Sequence, residues 1–170
     1  AGEDVTTGLC GIKVLDGSLS QGDNISAKWK MLSGPLTVNY SPASANKLFV
    51  MFQAYEGGEY HFELTITDEN NNIDKDTIVF SIMALKAEVS DDITIGGCRS
   101  VVLDATQNST LGDGYEYEWY DSNKLSDNSP KPTFTPSYSD FNQKIKFYFT
   151  VRDTFGCEAV DEFDITVKDV

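Results

Sequence analysis

The sequence predicts an all-β chain made of two tandem β-sandwiches, residues 1–85 and 86–170. Three observations lead there. The two halves repeat each other, the apolar residues alternate with a period of two, and clusters of turn-forming residues separate the alternating runs. The repeat is read segment by segment. Cys10 to Asp16 matches Cys98 to Asp104, with Leu15-Asp16 aligned on Leu103-Asp104. The run around Trp29 matches the run around Trp119. Tyr60 to Asp68 matches Ile145 to Asp153, and Asp76 to Ile82 matches Asp161 to Val167. The order is kept and the offset drifts by only a few residues, which chance does not explain.

Each run reads as a strand. Tyr60, Phe62, Leu64 and Ile66 alternate with His61, Glu63 and Thr65, and Phe147, Phe149 and Val151 alternate with Lys146, Tyr148 and Thr150. Such alternation gives a strand one buried face and one wet face. Phe163, Ile165 and Val167 behave alike in the last run. Phe49-Val50-Met51-Phe52 differs, because both of its faces are apolar; one of them is expected to meet a neighbouring module or a partner. Gly57-Gly58, Asn70-Asn71-Asn72 and Gly112-Asp113-Gly114 are turn signals. The junction is placed near residues 85–89, where no Pro/Gly/Ser-rich linker intervenes.

Composition narrows the function. A formal charge of −14, with Arg99 and Arg152 the only arginines, lacks the basic footprint that nucleic acid requires. No apolar run approaches the roughly 18 residues of a membrane helix, so membrane insertion is not expected. No basic start, apolar stretch and cleavage site opens the sequence; any secretion signal is expected to have been removed or to lie outside it.

These residues resemble a known family. Leu15-Asp16-Gly17-Ser18, Trp29, Gly58-Glu59-Tyr60 and Thr65-Ile66-Thr67-Asp68 follow the pattern of PKD-type domains, which are immunoglobulin-like. Leu103-Asp104-Ala105, Tyr117-Glu118-Trp119, Thr150-Val151-Arg152-Asp153 and Gly156-Cys157 repeat it in the second half. The chain is especially similar to cysteine-bearing PKD-like repeats of bacterial surface and secreted proteins. The resemblance implies non-catalytic extracellular modules of a larger surface or secreted protein, acting as spacers or in adhesion. The alternative is a carbohydrate-binding module attached to a polysaccharide-degrading enzyme. Expected partners are a protein or polysaccharide at the cell surface and neighbouring domains of a longer chain. The Phe-Gly-Asp-Gly turn found after the Trp in many relatives is missing, so their calcium sites do not carry over.

Candidate residues follow. Cys98 and Cys157 fall in one module and are expected to pair there, which implies an oxidising compartment. Against this, the start of the second strand and the turn after the sixth lie at opposite ends of such a sandwich. Cys10 is left either as a small buried hydrophobe or as a residue paired outside the chain. Trp29 and Trp119 are expected in the cores rather than on a sugar. Outward aromatics are the better ligand contacts: Tyr120, Tyr148, Phe49 and, with them, Met51. Calcium is the cofactor considered, at Asp68, Glu69, Asp74 and Asp76 around one turn and at Asp153 and Asp161 around its equivalent. The competing reading is that these acids satisfy local backbone N–H groups. His61 is the single histidine and is expected as a solvated surface group.

Overall fold

The computed structural model describes residues 1–41, 45–120 and 122–169. The chain divides into two compact units, Ala1–Ala84 and Leu85–Val170.

The first unit contains β1 (Val5–Gly8), β2 (Lys13–Asp16), β3 (Ser26–Ser33), β4 (Tyr40–Ser41), β5 (Phe49–Phe52), β6 (Gly58–Thr67) and β7 (Ile73–Met83). One sheet has the order β1-β7-β6-β3 and the other β2-β5-β4. Every pairing is antiparallel except β1 with β7, which is parallel. The alternation of β6 and β7 places Tyr60, Phe62, Leu64, Ile78, Phe80 and Ile82 inward, where they meet Leu15, Trp29, Val50 and Phe52. Phe52 is the hub. Its ring lies 4.8 Å from that of Phe62 and 5.2 Å from that of Phe80, the latter edge-on at 88°.

The second unit contains β8 (Ile93–Gly96), β9 (Val101–Val102), β10 (Tyr115–Tyr120), β11 (Thr133–Phe134), β12 (Lys144–Asp153) and β13 (Glu158–Lys168). Its sheets are β10-β12-β13-β8 and β9-β11, with β8 parallel to β13. Leu103, Trp119, Phe134, Phe147, Phe149, Val151, Phe163 and Ile165 fill its core.

The repeat extends to single hydrogen bonds. Gly17 N–H donates to Leu48 O (2.9 Å) and Ala105 N–H to Pro130 O (3.0 Å) at matching positions. Asp4 Oδ1 accepts from Val79 N–H (2.8 Å), as Asp92 Oδ1 accepts from Asp164 N–H (3.0 Å). The hairpin between the two long strands closes with Asn71 at φ 62° in one unit and Gly156 at φ 83° in the other. Asn and Gly are the residues that tolerate that backbone region.

One anchor is not shared. Tyr60 Oη donates to Glu56 O at 2.9 Å, fixing the corner that enters β6. This is the tyrosine-corner arrangement of immunoglobulin-like sandwiches. Ile145 holds the equivalent place in the second unit and cannot do this. A turn at Tyr138–Asp140 braces that corner instead. Replacing Tyr60 by Phe keeps the ring and removes one bond, so a loss of about 1 kcal/mol is expected. A urea melt of the chain checks it; an unchanged midpoint would show that the corner is held by packing alone.

Candidate functional site

The acidic candidates are placed by the turns they build. Asp68 Oδ1 accepts from the N–H groups of Asn70 (2.8 Å) and Asn72 (2.9 Å), and its Oδ2 accepts from Asn72 Nδ2 (2.8 Å). These bonds, those from Asn72 first, hold the carboxyl below the usual carboxylate range. Asp153 repeats the backbone part, with Oδ1 accepting from Phe155 N–H (2.9 Å) and Cys157 N–H (2.8 Å). Its Oδ2 is buried without a hydrogen-bond partner. The cause lies in the repeat: Cys157 stands where Asn72 stands in the first unit and brings no amide donor. Glu69 accepts from Asn24 Nδ2 (2.9 Å). Asp161 Oδ2 accepts from Val89 N–H (2.8 Å), and Asp76 takes the Ala1 nitrogen in the same way. Asp74 is exposed on β7 opposite Ile66. Among the described residues, no three acidic, His or Cys side chains gather where a cation could sit.

The cysteine pairing expected from the sequence is not made. Cys98 is a free, exposed thiol. Gly97 N–H donates to Lys168 O (2.9 Å), which fixes Cys98 beside the last residue of β13, whereas Cys157 immediately precedes its first. The 11 residues of that strand span roughly 35 Å at about 3.3 Å each, against the 7 Å or less that a disulfide needs. Neither Cys10 nor Cys157 is a free thiol. Cys10 is exposed, so it is not the buried small hydrophobe offered as one reading.

Both tryptophans are buried and bonded. Trp29 Nε1 donates to Leu48 O (3.2 Å) and Trp119 Nε1 to Ser129 O (3.0 Å). His61 lies on the outer face of β6, with Nε2 3.6 Å from Glu59 Oε2. Among the described residues, no hydroxyl or thiol is hydrogen-bonded to it.

The outward aromatics are brought together. Tyr120 on β10 and Tyr148 on β12 are direct register partners, 51% and 38% exposed. Charged pairs frame them on the same face. Lys146 reaches Glu162 at 2.8 Å, and its Nζ lies 5.9 Å from the centre of the Tyr148 ring. Arg152 bridges Glu118 (3.2 Å) and Glu158 (3.3 Å) across neighbouring strands. Sequence reasoning missed this frame. Its signal is there once β12 and β13 are paired, because Lys146 and Arg152 then face acids on the adjoining strands. Phe49 and Met51 point outward from β5, with Val14 of β2 directly opposite Met51. Val50 and Phe52 point into the core, so the strand is apolar on both faces because one of them is a second exposed strip.

A family model described as K319L-like, PKD domain, matches residues 1–82. The solution structure of the PKD domain from the KIAA 1837 protein is 30% identical over 49% of this chain and 83% of its own, with a TM-score of 0.45. Drosophila OTK extracellular domains 3-5 are 10% identical, over 99% of this chain and 59% of theirs, at a TM-score of 0.46. Drosophila N-cadherin EC1-4 is 14% identical, over 86% and 41%, at 0.42. No curated protein matches the chain. With residues 1–82 matched by that family model and 49% of the chain aligned at 30% identity to 83% of a solved PKD domain, the chain belongs to the PKD family of immunoglobulin-like domains.

Proposed function

We propose that the chain supplies extracellular interaction modules of a larger protein and that the tyrosine face of the second unit is a contact surface for a protein partner. The observation that carries this is the register pair Tyr120–Tyr148, exposed side by side on the outer face of the sheet where its edge strand β10 ends. Tyr and Arg are the side chains that concentrate at interface centres, and a rim of ion pairs adds orientation and partner choice. An outer sheet face with this chemistry suits binding rather than catalysis, which needs a nucleophile or acid–base pair in a cleft. Among the described residues, no helix is long and apolar enough to cross a membrane.

The test is a binding screen against extracellular proteins and a panel of soluble and insoluble polysaccharides, with calcium and with chelator. The double variant Tyr120→Ala/Tyr148→Ala is run beside the native chain. The expected result is a protein ligand whose affinity falls at least tenfold, about 1.4 kcal/mol, with an unchanged melting curve. A polysaccharide retained by the native chain and lost by the variant would make this a carbohydrate-binding module. Loss of binding on chelation would bring calcium into the site. Unaltered binding by the variant would remove the tyrosine face from the reading.

A further inference from the structure

A groove of about 790 Å³ lies beside the start of β3 in the first unit, lined in part by Ile25, Lys28, Lys47, Leu48 and Phe49 and by Thr65 of the neighbouring β6. β3 is the terminal strand of its sheet. Trp29 sends its backbone N–H away from β6, to Ala45 O at 2.8 Å. In an antiparallel ladder, residues of the same parity direct their polar groups the same way. Ala27, two positions earlier and also lining the groove, therefore turns its N–H and C=O into it. Among the described residues, no backbone bond outside the strands takes either group. An edge left open at one position beside a groove is a template for an added strand.

The charge of the groove selects what is added. Lys28 and Lys47 are exposed, and among the described residues neither lies within ion-pair distance of a carboxylate, although the chain carries a charge of −14. Lys75, Lys124, Lys131, Lys144 and Lys146 are all paired. Leu48, Phe49 and Ile25 supply apolar wall between the two cations. We propose that this groove binds an extended acidic peptide segment, which pairs with the edge of β3 at Ala27 and places carboxylates on Lys28 and Lys47. Edge lysines discourage pairing with a basic strand and are satisfied by an acidic one. The equivalent edge strand of the second unit, β10, carries Glu116 and Glu118, which would repel the same peptide, so the site belongs to the first unit alone.

The test uses the full chain, labelled for NMR, and a short blocked peptide of alternating Glu and Val. Shift changes at Ala27, Lys28 and Lys47 and slowed exchange of the Ala27 amide are expected. The double variants Lys28→Glu/Lys47→Glu and Lys28→Gln/Lys47→Gln should each bind at least tenfold more weakly, with unchanged melting curves because both side chains are exposed. Equal binding of a Lys-Val peptide, undiminished binding of a backbone N-methylated peptide, or native affinity in both variants would overturn the proposal. So would a heparin oligosaccharide that shifts the two lysines in place of the peptide and leaves the Ala27 amide unprotected, since it would assign the cations to an anionic glycan.

Discussion

Trp119→Ala is expected to cost the second unit about 4 kcal/mol and to leave it largely unfolded at moderate urea. The indole is 3% exposed and its ring lies 4.8 Å from that of Phe149. Its Nε1–H also holds Ser129 O at 3.0 Å, which pins the long connection between β10 and β11 onto the core. Truncation therefore opens a cavity between the two sheets and frees a loop in one step. Strands fixed in hydrogen-bonded register cannot collapse far into such a space. Trp29→Ala should act alike in the first unit, where the indole is 1% exposed and bonds to Leu48 O. Circular dichroism against urea is the measurement. A loss below about 1 kcal/mol at either site would mean that the core tolerates the void, and it would reopen the question of what the indoles are for.

The second large effect is expected from Asp140, a buried carboxylate in the brace that replaces the tyrosine corner. Its Oδ2 accepts from Ser137 N–H (2.8 Å) and Ser137 Oγ (2.7 Å), and its Oδ1 takes the Lys124 ammonium. Lys124 first, then the Ser137 amide, hold its carboxyl at about 2, down from an ordinary 3.8. The fold thus favours the ionised form. Its contribution is complete above the unfolded value, near pH 4, and disappears as the pH falls through about 2. The shift converts to roughly 2 kcal/mol. Asp140→Asn should lose about that much at pH 7 and lose less on further acidification than the native chain does. Asp104, also held at about 2 by Lys131 and then Thr106, adds to the same acid limb. Urea midpoints from pH 7 to pH 2 check this, and parallel curves for native and variant would remove Asp140 as a source of acid sensitivity.

The strands and cores were legible in the sequence because burial on one face forces a period of two. Phe62, Leu64, Phe147, Phe149 and both tryptophans could be read inward without coordinates for that reason. The carboxylates were harder. Asp68 and Asp153 look like cation ligands when only their types are counted, yet each is occupied by amides of its own turn, and that choice depends on backbone direction at Asn71 and Gly156. The cysteines misled through proximity in the repeat. Cys98 and Cys157 share a module, but they sit at the two ends of β13, and a parallel pairing of β8 with β13 is what puts them there. Edge chemistry was invisible for a related reason. Whether Ala27 faces a neighbouring strand or open space is settled by parity within a ladder, which the side-chain pattern does not encode.

The parallel pairing of β1 with β7, and of β8 with β13, has a mechanical consequence. In each unit the chain enters at one end of that pair and leaves from the other end. Tension between the ends of a unit is therefore directed along the paired strands in opposite senses. It loads the rungs from Val5–Phe80 to Gly8–Met83, or from Ile93–Ile165 to Gly96–Lys168, in shear, so that they resist together. An antiparallel pairing of the same strands would bring entry and exit to one end, and pulling would unzip it rung by rung. A tether under stretch needs the first geometry, and both units have it.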